Sequence, residues 1–551
     1  MKNINESPEM EKIDCLILGH YEMGTSEIHS ALKAGGVTSG SYRDFNLGFV
    51  TLEGNNYSLT ELYNSILNKN SVEDKIVRNS NTFNAAISYL GTYLNKRNTS
   101  FDYITSVDLE KERLEKILTE KEVLSIALLT TLYVTPTPII EIVDFIRSLN
   151  DKVKIFIGGP YISTMCRTHD DDYIAYVAEH VLKGDYYINS SQGERAMVNL
   201  IEAIKNNDPI DDIENVFYIE DGKLIKNKMK AEQNTLNENM VDWSLFKSDN
   251  KEYVNIRTAI SCPFTCAFCG FPENAGKYQT VPPEMVIEEL HQLVKFNPEI
   301  KSIYFIDDTF NVPKKRFKEL LRLMIKSNFD FKWHSYYRCQ FADEESIELM
   351  KESGCEGVFL GIESGSDTIL GNMNKGSKVR QYEKGIKLLK RAGITTFGAF
   401  ITGFPGENES TIKETIDFIE NSGLDFFRTQ MWFCEHITPI WRQREKYDIK
   451  GEGFTWSHST MDSNTASNYV EEVFCNIKNV TWLPQHDFDF ENVWRLVHNG
   501  ISIEEIKRVA KLFNKDIKKK ILNPSNFEMA KENYQEIESI ISNKILMPKD
   551  V

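Results

Sequence analysis

The stretch Ser261-Cys262-Pro263-Phe264-Thr265-Cys266-Ala267-Phe268-Cys269-Gly270 sets three thiols at positions i, i+4 and i+7 of one short segment. As thiolates they are soft ligands suited to iron–sulfur clusters or zinc. A cubane iron–sulfur cluster ordinarily takes four cysteines, so three would leave one iron without a protein ligand and open to a small molecule. A single zinc ion is the alternative. Structural zinc sites complete their tetrahedron with a fourth Cys or His at short spacing, and none follows Cys269 within twenty residues.

Elements on either side must position this loop. Val254, Ile256, Thr258 and Ile260 alternate in the manner of a strand that delivers the chain into it. Further strands are predicted at 302–307, 331–338, 357–363, 395–403 and 426–432, with helices between them at 283–296, 314–327, 344–352, 378–392 and 409–421. Six such units fit an open, partial (β/α)6 barrel, in which chemistry belongs on the loops after the strands. Those loops carry Asp307, Asp308 and Thr309, then Arg338, then Gly361, Glu363 and Ser364, then Gly403 and Phe404. A carboxylate suits an ammonium group and a guanidinium pairs with a carboxylate in bidentate fashion. Taken singly, glycine-rich turns after strands are common and Arg338 could be an ordinary ion pair.

Upstream, apolar runs at 14–20, 123–130 and 153–158 alternate with helical stretches, the pattern of a doubly wound (Rossmann-like) parallel sheet covered on both faces. Ligands bind beyond the carboxyl ends of such strands. The candidate residues there are His20, Tyr21 and Glu22, Thr130 and Thr131, Gly158, Gly159 and Pro160, and Gly184. The expected organisation is a doubly wound domain over 1–190, a helix and polar linker over 191–250, the partial barrel over 251–440, and a mainly helical, substrate-capping region over 441–551.

Composition narrows the function classes. A formal charge of −17 argues against nucleic acid and anionic membrane as partners. No signal-peptide pattern opens the sequence and no run reaches the length of a membrane span, so a cytoplasmic protein is expected. Nine cysteines scattered through 551 residues do not form a disulfide framework, and the six outside the triplet read as buried small hydrophobes.

The cysteine triplet, with Phe268 just before its last member, resembles the signature of radical S-adenosylmethionine (SAM) enzymes. The resemblance implies that Cys262, Cys266 and Cys269 hold a 4Fe-4S cluster whose free iron is chelated by SAM, which is then cleaved to a 5′-deoxyadenosyl radical. It places Phe268 near adenine, the 307–309 stretch at the SAM amino group although Asp-Asp-Thr stands where the family has Gly-Gly-Glu, Arg338 at the SAM carboxylate, Gly361, Glu363 and Ser364 at the ribose, and Gly403-Phe404 beside adenine. The upstream domain, with its Gly-Gly-Pro turn, is similar to the cobalamin-binding domain that precedes the barrel in one large class of these enzymes. It lacks the Asp-x-His-x-x-Gly motif that supplies a lower cobalt ligand elsewhere. The whole layout, including Gly40 to Asn46 and the Trp482 to Phe490 tail, resembles the cobalamin-dependent radical SAM P-methyltransferases of phosphinate biosynthesis. That implies methylation of an unactivated carbon or phosphorus centre of a natural-product intermediate, free, peptide-borne or carrier-tethered, with a reduced flavodoxin or ferredoxin as electron donor. His436, His458 and His486 are candidates for the substrate pocket, against an alternative as surface or core histidines. Other readings of the same residues are a non-methylating oxidation, ring contraction or cyclisation, a doubly wound domain that only docks a substrate, and a cobalamin sensor that is no enzyme.

Overall fold

The computed structural model describes residues 10–131, 133, 135–247, 251–484, 490–523 and 527–545. Its architecture is mixed α/β, built on two large sheets. The first has seven strands in the order Lys223–Lys226, Val216–Glu220, Tyr186–Ile188, Lys154–Gly158, Glu122–Leu129, Lys12–His20, Phe101–Ser106. The strands from Phe101–Ser106 to Tyr186–Ile188 run parallel, and two antiparallel strands close the other edge. Leu16, Ile17, Leu18, Ile126, Ile155 and Ile157 have no solvent exposure, as a sheet covered on both faces requires. The 191–250 segment supplies the expected helix, Glu194–Asn206, and also the two antiparallel strands, so the sheet continues past the Rossmann-like part.

The second sheet is parallel throughout, in the order Thr481–Trp482, Phe426–Met431, Thr395–Thr402, Cys355–Glu363, Lys332–Tyr336, Ser302–Phe305, Tyr253–Ile256, Thr82–Phe83. Its six central strands are the six barrel units expected. The outer two come from elsewhere in the chain, each only two residues long and hence too short to show an alternating pattern. They cover edges that would otherwise stand unpaired.

A third body joins the two ends of the chain. Residues 25–69 fold as the helices Thr25–Ala34, Gly40–Phe45 and Leu59–Lys69 around a hairpin, and they pack on the C-terminal helices Ile503–Leu522 and Lys531–Ile545. The Lys520 ammonium donates to the Phe49 carbonyl at 2.6 Å, and Met529 N donates to Thr51 O at 2.7 Å. Arg43 pairs with Glu471 at 2.8 Å. Those C-terminal helices lie at the amino ends of the barrel strands, away from the mouth, because Lys507 pairs at 2.7 Å with Asp425, the residue before the Phe426–Met431 strand. The preceding helix, Phe490–His498, packs against the strands: a Cβ at Gly357 would meet the Trp494 ring at 2.2 Å, and Phe490 lies 5.6 Å from Phe397.

Candidate active site

The cysteine segment leaves the Tyr253–Ile256 strand and turns at Ser261, whose φ is +67°. Cys262 Sγ lies 3.2 Å from Thr309 Oγ1. Arg338 directs one guanidinium nitrogen at the Cys266 sulfur at 3.9 Å. Burial pushes the Cys269 thiol up to about 11, and the neighbouring Cys266 and Cys262 add to the effect. A thiol ligates a metal centre as its thiolate, releasing the proton on binding. Yet among the described residues no group of three or more His, Cys, Asp or Glu side chains is placed to hold a single metal ion. That disfavours the zinc alternative, which needs its donors gathered around one ion.

Around the loop the structure gathers Phe268, Phe404, Gly361 and Glu363. Phe268 meets the fully buried Phe404 edge to face at 6.5 Å. Gly403, with φ +93°, has no room for a side chain, since a Cβ would come 2.6 Å from that of Ala466. Glu363 sits at φ +70°, next to a register shift in its strand, and pairs with Lys375 at 2.7 Å. Lys375, whose ammonium also lies 5.3 Å from the Phe268 ring centroid, was not among the sequence candidates. The signal for it is the buried carboxylate itself, which demands a cation.

Several expectations change on contact with the structure. Asp307 is not available to an ammonium group: its carboxylate accepts from Thr258 N at 2.6 Å, Ala259 N at 2.9 Å and the Thr258 hydroxyl. Asp308 is the acid left open, exposed yet within electrostatic reach of Cys269, and desolvation raises its carboxyl to about 6 against the opposing pull of Arg257. The Ser364 hydroxyl is consumed as well, accepting from Ser366 N at 3.1 Å beside Thr415 Oγ1 at 3.3 Å. Arg338 is no surface ion pair: it is 8% exposed, donates to Lys375 O at 2.7 Å and lies 3.6 Å over the Phe264 ring. His458 bonds Gly403 O at 3.0 Å and His436 stacks on Trp441 at 3.7 Å, and neither lines the central cavity. His486 lies outside the described residues.

That cavity, about 700 Å³, opens between the carboxyl ends of the first sheet and the lumen of the second. One wall is His20, Thr131, Gly158, Gly159 and Pro160. Thr130 stands behind it, donating to Gly158 O at 2.9 Å and accepting from Tyr161 N at 3.2 Å. Gly159 has φ +113°, and a Cβ there would press to 2.8 Å from Thr130 Oγ1. The His20 ring faces the Asn84 amide at 3.4 Å, and burial lowers it to about 4, which leaves the imidazole neutral. Tyr21 and Glu22 do not line the cavity: Tyr21 donates to Glu141 and Glu22 accepts from Ser80 N at 3.0 Å. Gly184 is a correction of another kind. It precedes the Tyr186–Ile188 strand, at the amino end of the sheet, where a Cβ would strike Ile157 at 2.7 Å; it serves packing.

The opposite wall was missed by sequence reasoning. Asn255 and Arg257, Tyr304 and Ile306, and Phe397 and Arg428 point inward from the barrel strands, while Phe490, Glu491 and Arg495 contribute from the Phe490–His498 helix. The i, i+2 spacing of the first two pairs is the strand period seen from its lumen side.

Residues 256–419 match the Radical SAM superfamily model. An uncharacterized methyltransferase of Pyrococcus horikoshii is 27% identical over 51% of this chain and 60% of its own length. An anaerobic magnesium-protoporphyrin IX monomethyl ester cyclase of Rubrivivax gelatinosus is 25% identical over 55% of this chain and 58% of its own. The chain thus spans under two thirds of the length of these curated relatives. Two solved structures share the fold: the cobalamin-dependent SAM radical enzyme OxsB with aqua-cobalamin bound (TM-score 0.55, 15% identity, 84% of this chain and 77% of that one), and the radical SAM methyltransferase TsrM of Kitasatospora setae with cobalamin and a [4Fe-4S] cluster bound (TM-score 0.53, 18% identity, 65% and 74%).

Proposed function

Because the chain carries a radical SAM domain, we propose that it is a cobalamin-dependent methyltransferase of that chemistry, acting on a carbon or phosphorus centre that polar methylation cannot reach. One observation carries the reading: a single cavity joins the His20 and Gly158–Pro160 wall of the first domain to the lumen of the barrel that bears the cysteine triplet. The cavity reaches the cysteine loop at Ile260 and Phe271; in this reading Cys262, Cys266 and Cys269 would hold a 4Fe-4S cluster, Asp308, Glu363 and Lys375 would supply polar contacts for SAM, and His20, Thr131, Gly158 and Gly159 of the cavity wall would face cobalamin. When bound, the cluster supplies the electron and open iron that cleave SAM, and cobalamin supplies the methyl group.

The chain's own residues bind, orient and exclude water. Arg338 and Thr309 hold the sulfur ligands from outside, Phe268 and Phe404, set edge to face, form an apolar corner, and Asp308, ionised above about pH 6, can pair with an ammonium. Tyr304, Tyr336, Phe359 and Phe397 make the lumen aromatic, so a substrate seated there loses its water. A free acceptor has to fit this lumen; a peptide or carrier-tethered one enters by its modified end. A reduced flavodoxin or ferredoxin is the electron donor in this reading, and the cytoplasm its compartment. Among the described residues no helix is long and apolar enough to cross a membrane.

The likeness to the cyclase of Rubrivivax gelatinosus favours a second reading, a radical reaction that moves no methyl group. Turnover with methyl-labelled SAM separates the two. Label in the product supports methylation, and 5′-deoxyadenosine formed alongside an unlabelled, altered product refutes it.

A further inference from the structure

Residues 257–259 lead from a barrel strand into the cysteine loop, and their backbone is gripped from two domains at once. From the first domain, the Tyr89 hydroxyl accepts from Arg257 N at 3.0 Å and donates to Arg257 O at 3.2 Å. The Arg257 guanidinium lies 6.0 Å from the centroid of the same ring. From the barrel, Asp307 takes the amides of Thr258 and Ala259, and Arg316 donates to Thr258 O at 3.1 Å and to Val281 O at 2.8 Å. Cys262 follows three residues after Ala259.

The helix that carries Tyr89, Ala85–Asn95, is capped by Asn84, whose side chain accepts from Ala86 N. The amide nitrogen of that same Asn84 faces His20, on the opposite cavity wall from the barrel. A little under one and a half turns of helix, about 7.5 Å at 1.5 Å per residue, therefore separates a contact to the His20 wall from a contact to the cysteine approach. Tyr89 itself borders the cavity between them. A hydroxyl bonded to both backbone groups of one residue fixes position along the strand as well as distance from it.

We infer that Tyr89 is a positioning residue: its hydroxyl sets the spacing between the first-domain cavity wall and the cysteine loop, and so keeps SAM cleavage coupled to methyl delivery. The inference rests on the function proposed above. It predicts that distance between two cofactor positions depends on one phenol that touches neither reacting atom.

The test is Tyr89→Phe, which keeps the ring and removes the hydroxyl, in protein loaded with cluster and cobalamin. Iron and cobalamin contents are expected to match wild type. The magnetic coupling between reduced cluster and cob(II)alamin, read by electron paramagnetic resonance, is expected to change, and 5′-deoxyadenosine formed per methyl group transferred to rise several-fold. A variant with lower thermal stability but unchanged coupling and an unchanged ratio would show a merely structural bond and overturn the inference. If Tyr89→Phe does not fold, wild type decides. Adding hydroxocobalamin to cluster-loaded protein should slow amide exchange across 257–259, and unaltered exchange overturns the inference while leaving the proposed function standing. Wild-type protein that takes up no cobalamin at all refutes the proposed function, and this inference with it.

Discussion

The Lys375 ammonium lies 2.7 Å from a Glu363 carboxylate oxygen, with the two side chains only 7% and 11% exposed, beneath the Phe268 ring of the cysteine loop. Glu363 is held at φ +70°, next to a register shift in its strand. Removing one partner strands a buried charge, which costs about 3 kcal/mol or more. Lys375→Met should therefore lower the urea midpoint by that equivalent and weaken SAM binding. Lys375→Met combined with Glu363→Leu should recover much of the stability and none of the SAM affinity. Calorimetric titration with SAM and denaturation of the four proteins of the cycle check both halves.

Cysteine replacement separates the cluster from the other cavity wall. Cys266→Ala removes the sulfur that Arg338 approaches and leaves the first-domain wall intact. The variant should bind no 4Fe-4S cluster, form no 5′-deoxyadenosine under strong reductant, and still take up cobalamin. Iron, sulfide and cobalamin contents, measured on the same anaerobic preparation, check this. Full iron loading in the variant would mean that the triplet is not the ligand set.

Gly159→Ala probes the opposite wall. At φ +113°, a side chain is strained by about 1 to 3 kcal/mol, and its Cβ would crowd Thr130 Oγ1 at 2.8 Å. The turn should shift toward the cavity. Cobalamin retention should fall at least tenfold for every ~1.4 kcal/mol that reaches the site, with cluster content unchanged. Absorbance of the desalted, reconstituted protein reads both cofactors in one spectrum.

The barrel strands, their helices and the cysteine loop were legible because each is local. Helices at 283–296, 314–327 and 344–352 carry their own apolar stripe, and the structure begins and ends them at the same residues. What could not be read lies across the chain. Asp307 and Asp308 are adjacent, and nothing in their order says that the first is spent on Thr258 and Ala259 while the second stays open within reach of Cys269. Gly184 looked like a strand terminus in the pattern of the first sheet, and only strand register shows that it precedes its strand. Phe490, Glu491 and Arg495 border a cavity whose first-domain wall lies hundreds of residues earlier, and no period in the sequence encodes that encounter.

The turn that carries Phe404 should also answer to pH. Burial holds the Glu407 carboxyl at about 8, above its ordinary 4.5, although it accepts from Gly403 N. Between those values the folded protein keeps a proton that the unfolded chain has released, so this group makes stability fall as pH rises. Its contribution is complete below about pH 4.5 and lost as the pH climbs through about 8. Glu289, likewise raised to about 8 by burial, slopes in the same direction, so the wild-type curve alone cannot be assigned to one residue. Glu407→Gln keeps an acceptor for Gly403 N and has nothing to titrate. The urea midpoint should therefore fall more steeply with rising pH in wild type than in the variant, and a wild-type and variant pair with parallel curves from about pH 5 to 8 would show that Glu407 is already ionised in the fold.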